Sequence, residues 1–433
     1  MRPISIVDWM TAVADRGRSL LELSPPAAGQ RGSLEALCRD LIARRGEATA
    51  AAVAREIAQA WWQTPEPRRT EFFAALAAEF NPDPEAVAEA AAAYAAAPGP
   101  RTQIALFRAA EPPRQELLRR INYAPGATAA LVDMRAALVD RLAERPEFAA
   151  VDADFQHLLS SWFNRGFLEL RSISWDTPAS ILEKLIRYEA VHEIKGWADL
   201  RRRLEHDRRC FAFFHPAMPD EPLVFVEVAL VNEISRDIHS ILTAPVDPDA
   251  GRRATTAIFY SISNCQKGLR GISFGSFLIK QVVEELRRTA PTLRHFVTLS
   301  PIPGFTRWLR AQAPDEEPWL TELRAALPER PEPEALEPLK KPLTKACARY
   351  LLSARGPGWP LDPVARFHLG NGAQLRQLNW RADLSEKGLA QSAGMMVNYA
   401  YDQDSIERNH ERFFDQGEIA TARPVRALAD QKL

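Results

Sequence analysis

Apolar residues recur at helical spacing through the first 160 or so residues. Leu34-Leu37-Leu41, Ala54-Ile57-Ala58-Trp61 and Phe72-Phe73-Leu76-Phe80 each put their apolar side chains on one face of a helix. The stretch 86–97 is dense in alanine, the strongest helix former, and it ends at Pro98-Gly99-Pro100, a clear stop. The same spacing predicts helices over 116–121, 128–145 and 152–163. No fixed-period repeat of the solenoid kind is present. This part reads as an all-helical bundle, residues 1–160, that serves assembly or support.

After about Phe167 the texture changes. Four runs rich in Phe, Val, Ile and Thr predict strands: 211–214, 223–231, 257–263 and 295–299. A helix over 276–288 separates the last two, giving strand, glycine loop, helix, strand, a βαβ-like unit. Residues 328–342 carry five prolines among charges and read as an exposed insertion. The span 405–413 reads as a short polar helix, and the last fifteen residues as a loose tail. Residues 161–433 form the second expected domain.

Composition narrows the chemistry. Length alone, 433 residues, suggests two or three domains. Lys+Arg total 55 against 56 Asp+Glu, so no basic excess marks a nucleic-acid-coating protein. The four cysteines, Cys38, Cys210, Cys265 and Cys347, are far apart and form no CxxC. Neither a disulfide framework nor a zinc site follows, and a reducing compartment fits. An acid at Asp8 interrupts what a signal peptide would need, and the apolar stretch 223–231 is too short to span a bilayer. The expected location is cytoplasmic. There are 33 prolines but only 20 glycines, where average usage gives roughly 22 and roughly 30. The bundle region holds six of those glycines, so the places that do carry them draw the search for chemistry.

The densest such place is 266–276, Gln-Lys-Gly-Leu-Arg-Gly-Ile-Ser-Phe-Gly-Ser, between a predicted strand and a predicted helix. Glycine lets a ligand approach the backbone, and a helix N-terminus offers unpaired N–H groups. Lys267 and Arg270 add charge, so the loop suits a phosphate or pyrophosphate. The alternative is a plain strand-to-helix turn. Gly271-Ile272-Ser273-Phe274-Gly275 also matches the G-x-S-x-G nucleophile elbow, with Ser273 as nucleophile. Eight residues, 264–271, separate it from the strand end, which counts against the elbow. An acyl-CoA cradle of the acetyltransferase-like kind is the competing reading.

Two further segments stand out. Prolines and a glycine in 298–305 (Thr-Leu-Ser-Pro-Ile-Pro-Gly-Phe) lock the backbone where Ser300 leaves a strand, a good site for an aimed hydroxyl. A capping serine in an edge turn is the plainer alternative. In 361–372, Asp362-Pro363 starts a helix and Gly370 and Gly372 end it. His368 then sits at the C-terminal end of a short helix, where the dipole favours imidazolium. A structural histidine is the alternative. The other seven histidines show no metal-ligand pattern.

Taken together, FYSIS (259–263), QKGLRGISFGSFLIK (266–280), LSPIPGF (299–305), DPVARFHLGNGA (362–373) and NYAY (398–401) resemble the malonyl-CoA decarboxylase family. The resemblance runs from about Leu158 to Tyr401, and the residue bias has a bacterial look. It implies a helical domain followed by an acetyltransferase-like (GNAT-type) α/β catalytic domain. It implies cleavage of malonyl-CoA to acetyl-CoA and carbon dioxide with no cofactor, coenzyme A being part of the substrate. It assigns Ser300 as proton acceptor and His368 as proton donor. The loop Arg270, Gly271, Ile272, Ser273, Phe274, Gly275 and Ser276 binds coenzyme A, together with Ser300 and His368. Tyr401 and Lys267 are further candidates. Ser273 departs from animal members, which carry an acid there. The family also implies a homo-oligomer, with no nucleic-acid or membrane partner. Three other classes stay open: an acyl-CoA-dependent N-acyltransferase of the same fold, an α/β-hydrolase using Ser273, and a non-catalytic malonyl-CoA sensor.

Overall fold

Helix-forming and β-branched stretches sort into two units in the computed structural model, which describes residues 32–44, 46–272, 278–312, 317–354 and 359–431. One unit gathers the chain up to Leu168 with 215–221 and 266–273; the other gathers 169–214, 222–265 and 274–433.

The first unit is helical: Leu34–Ala43, Glu47–Gln63, Glu66–Glu79, Pro84–Ala96, Pro100–Ala110, Pro113–Asn122, Ala127–Val139 and Ala149–Trp162. The proline excess has a use here. Four of these helices carry proline at the first or second position, where a missing N–H loses no intrahelical bond. Pro98-Gly99-Pro100 does end one helix, and Pro100 at once begins another. The helix expected over 128–145 stops at Val139, with turns from 140. Trp61, Phe72, Phe73 and Phe148 form the aromatic core, with ring centroids 5.7–6.1 Å apart. A buried Arg114–Asp154 pair, 2.6 Å apart, lies in the same unit.

The second unit is built on an eight-stranded mixed sheet: β1 Glu169–Ile173, β2 Arg208–Phe214, β3 Val224–Val231, β4 Thr256–Asn264, β5 His295–Thr298, β6 Ser300–Pro301, β7 Gln374–Asn379 and β8 Met396–Ala400. The order is β1-β2-β3-β4-β5-β8-β6, with β7 also paired to β8. β4 and β5 are parallel and the rest antiparallel. The helix Leu278–Thr289 crosses between β4 and β5, as the acetyltransferase-like reading requires. Nearly continuous apolar sequence in β2, β3 and β4 matches their burial on both faces.

One expectation is corrected and one is refined. The last fifteen residues are not a loose tail: Ala420 accepts a backbone bond from Leu375, and the helix Arg423–Ala429 buries Val425. The proline-rich 328–342 segment is mostly exposed but pinned by buried Pro331 and Leu336, and its end begins the helix Lys340–Ser353.

The sheet encloses a charged pair. Arg203 donates to Glu227 in β3 at 3.0 Å, to Asp199, and to the carbonyls of His192 and Glu193. Burial opposes both charges, and Glu227 and Asp199 hold the guanidinium above its ordinary value. Removing one partner of such a pair strands the other charge. Arg203→Leu is therefore expected to cost about 3–5 kcal/mol of stability, read by urea unfolding; a loss below about 1 kcal/mol would contradict this account.

Candidate active site

Thr298 ends β5 and Ser300 opens β6. Two residues apart on a strand, they share a face, and the Ser300 hydroxyl donates to Thr298 Oγ1 at 2.8 Å. Thr298 Oγ1 also accepts the Tyr399 N–H of β8 at 3.1 Å. Beyond Ser300 the chain turns through Pro301 and Pro303 to Gly304. A Cβ at 304 would lie 2.2 Å from the Tyr350 hydroxyl, so only glycine fits this turn.

The turn is tied to a helix by one carboxylate. Asp362 caps Pro363–Gly370, its Oδ1 accepting the Val364 and Ala365 N–H groups at 3.0 Å each. Its Oδ2 accepts the Tyr350 hydroxyl at 3.2 Å and the Gly304 N–H at 3.4 Å. Burial pushes the Asp362 carboxyl up, against these four bonds. The far end of the helix is held too. Gly372 has φ +81, and a Cβ there would lie 2.0 Å from the Ile406 carbonyl. From the helix Gln403–Gln416, His410 Nδ1 meets the Gly370 carbonyl at 2.6 Å and Asn409 donates to that of Gly372 at 3.2 Å.

His368, on this clamped helix, reaches both sides. Its Nε2 lies 3.1 Å from Ser300 Oγ and its Nδ1 lies 2.7 Å from the Tyr401 hydroxyl. Its ring stacks on Tyr399, centroids 4.6 Å apart. Ser300, His368 and Tyr401 are 5%, 3% and 4% exposed. The expected imidazolium is corrected: burial pushes His368 down to about 3, so desolvation outweighs the helix end and the ring is neutral. A neutral imidazole carries one N–H. Because Ser300 spends its proton on Thr298, its Oγ accepts from Nε2–H, and Nδ1 accepts from Tyr401. The bonds Tyr401→His368→Ser300→Thr298 then run in one direction. This polarity places a proton on the His368 atom that faces Ser300, and it leaves Ser300 without a base to activate it as a nucleophile.

Of the glycine loop, Ser273, Phe274, Gly275 and Ser276 lie outside the described residues. The amides of Leu269, Arg270 and Ile272 are taken by the carbonyls of Gln266, Lys267 and Leu269. Gly271 is exposed, with φ +82. Lys267 is engaged by Asp140, whereas the Arg270 side chain is exposed, with no ion pair among the described residues. No group of three or more His, Cys, Asp or Glu side chains that could hold a metal occurs among the described residues.

Thr298 and Tyr399 were not singled out from sequence. The signal for each was present, since each lies two residues along a strand from a residue that was. The double duty of Asp362 had no local signal, because Gly304 and Tyr350 reach it only in the fold.

The sequence model of the malonyl-CoA decarboxylase C-terminal domain matches residues 166–433, and that of the N-terminal domain matches 80–163. The chain belongs to the malonyl-CoA decarboxylase family. This is a family of carboxy-lyases. Mitochondrial malonyl-CoA decarboxylase of Anser anser anser is 36% identical over 404 residues, covering 84% of this chain and 80% of that protein; the Mus musculus enzyme is 35% identical, at 84% and 82%. The crystal structure of malonyl-CoA decarboxylase from Rhodopseudomonas palustris shares 49% identity at TM-score 0.86, covering 91% of this chain and 98% of that one. The Agrobacterium vitis structure shares 49% at TM-score 0.82, covering 92% and 100%.

The neutral His368 has a measurable consequence. Above pH about 6.5 the ring is neutral folded and unfolded, and contributes no pH dependence. As pH falls from there toward about 3, the unfolded chain takes a proton that the buried ring refuses, so stability is lost. His368→Gln is expected to make this acid-side decline shallower by up to about 1.4 kcal/mol per pH unit. Urea midpoints between pH 4 and 7 measure it, and parallel curves for the two proteins would sink the assignment.

Proposed function

We propose that this chain decarboxylates malonyl-CoA to acetyl-CoA and carbon dioxide, with His368 as proton donor and Ser300 as proton acceptor. The observation that carries the reading is the buried Ser300–His368–Tyr401 chain, held at both ends by backbone clamps. Decarboxylation breaks the bond between the methylene carbon and the carboxylate. The electron pair moves onto the thioester carbonyl as an enolate, and the methylene carbon then needs one proton. The substrate carboxylate, entering beside a neutral imidazole, favours its protonation. Substrate binding thus draws one proton from solvent onto Nδ1, with the Tyr401 hydroxyl turning to accept it, and the ring is left neutral with its proton on Nδ1 after giving its Nε2 proton to carbon. Tyr401 at Nδ1 fixes the ring's orientation, and Ser300 takes part in the relay at Nε2. Arg270 and the loop 270–276 hold the coenzyme A phosphates.

Two coarser parts of the reading have their own support. A homo-oligomer through the helical unit accounts for the helices Pro84–Ala96 and Pro100–Ala110, which contain no buried residue and expose Ile104 and Phe107. The four cysteines are buried, which suits a reducing cytoplasm. No described helix is long and apolar enough to cross a membrane.

Carbon dioxide release from malonyl-CoA without an acyl acceptor tests the activity and separates it from acyl transfer. His368→Asn is expected to lower kcat about 10²–10⁴-fold, with malonyl-CoA binding largely intact. Ser300→Ala is expected to lower kcat similarly, with a smaller effect on KM. Near-normal turnover in the His368 variant refutes its role.

A further inference from the structure

The glycine loop is not free-standing. Its described part, 266–272, packs on the helix Ala127–Val139 of the helical unit. A Cβ at Gly268 would lie 1.8 Å from the Val132 carbonyl, so backbone meets backbone there. Beside that contact Arg135, 2% exposed, donates from Nη1 to two loop carbonyls, Gly268 at 2.7 Å and Arg270 at 2.8 Å. Its Nε donates to Asp152 at 2.8 Å, and Asp152 is held in turn by Gln156 at 2.5 Å. Removing a guanidinium from water is tolerable only when it is paired and hydrogen-bonded, and these contacts supply the pairing. The two carbonyls lie two residues apart and converge on one nitrogen. That bends the intervening main chain into a single turn and sets the point from which the exposed Arg270 side chain projects.

We infer that Arg135, a residue of the helical unit, is a positioning residue for coenzyme A binding. It touches no substrate. It holds the Gly268–Arg270 backbone so that the Arg270 side chain meets the phosphates from a fixed point, and preorganisation of this kind strengthens binding. The inference rests on the loop being the coenzyme A site. It also gives the helical unit a part in substrate recognition that assembly alone would not require.

The test compares malonyl-CoA with the malonyl thioester of pantetheine, which keeps the reacting end and lacks every phosphate. Arg135→Lys retains a charge but has one nitrogen where Arg135 uses two, one for Asp152 and one for both carbonyls, so it cannot hold all three partners in place. Losing a charge-assisted bond of this kind is expected to raise KM for malonyl-CoA roughly 10- to 100-fold. kcat is expected to stay within about twofold, and kinetics with malonyl-pantetheine to stay unchanged. Asp152→Asn, which leaves Arg135 in place but unanchored, is expected to give the same split in weaker form, and it serves if the lysine variant fails to fold. An equal loss with both substrates, or an unchanged KM for malonyl-CoA, overturns the inference. Arg270→Ala is the control for the loop itself. If Arg270→Ala separates the two substrates and the Arg135 and Asp152 variants do not, the inference alone fails. If Arg270→Ala does not separate them, the loop reading fails and the inference falls with it.

Discussion

The geometry of the site hangs on the Asp362 carboxylate. One oxygen starts the helix that carries His368, and the other holds the turn that follows Ser300. Two segments more than 60 residues apart in sequence are thereby brought into one register. A shift of either would open the 3.1 Å contact between Ser300 and His368, because hydrogen bonds weaken quickly with distance and angle. Asp362 is fully buried, and its four donors oppose the burial that pushes its carboxyl up. Glycine at 304 completes the arrangement, since any side chain there would strike the Tyr350 hydroxyl that supplies one of those donors.

Burial then decides protonation. A helix C-terminus favours a charged histidine by about 0.3–1 kcal/mol when exposed, and by up to about 2 when partly buried. Full burial moved the balance further the other way, and His368 rests neutral at about 3. For a decarboxylase this is a useful resting state. The bound substrate brings its own negative charge, and the product is neutral at that end once carbon dioxide has gone. On the mechanism proposed above, imidazole basicity rises on binding and falls on reaction, which would drive the proton toward carbon. An imidazolium already present in the free site would bind carboxylates indiscriminately and would give up its proton less readily.

Much of the fold was legible because it depends on local pattern. The helices of the first unit follow apolar spacing, and proline and alanine mark their ends and interiors. The strands β2, β3, β4 and β5 announce themselves by β-branched and aromatic runs. What escaped was short or polar. β7 (Gln374–Asn379) reads Gln-Leu-Arg-Gln-Leu-Asn, and β8 carries Asn398 in its middle. Their pairing with each other and with the Ser300 segment supplies what propensity does not. Asn398 is satisfied by Asn379, the Thr298 carbonyl and the Ser235 carbonyl, all distant in sequence, a pattern with no sequence period. The C-terminal helix Arg423–Ala429 was missed because a seven-residue element bearing one buried apolar residue, Val425, looks like a tail until the surface it packs on is known.

The site residues divide along the same line. Ser300, His368 and Tyr401 were readable because each sits beside punctuation: a Pro-Ile-Pro-Gly turn, an Asp-Pro cap with glycine exits, and a strand end. Arg135 carried no such mark. It stands in an alanine- and leucine-rich helical stretch where an arginine ordinarily lies on the solvent face, and only the fold shows it to be buried against Gly268 and Arg270. The boundary between the helical and α/β units, drawn in sequence texture near residue 160, is therefore not a single point in the chain. The chain's contacts place 266–273 with the helices, although sequence order sets it between β4 and the helix Leu278–Thr289. A loop whose Gly268 packs backbone against backbone on Val132 has little freedom left. Its amides at 269, 270 and 272 are spent on its own turn, and its carbonyls at 268 and 270 on Arg135. What the described part of the loop leaves exposed is the Arg270 side chain, held by a helical unit that contributes no described residue to the Ser300–His368–Tyr401 chain.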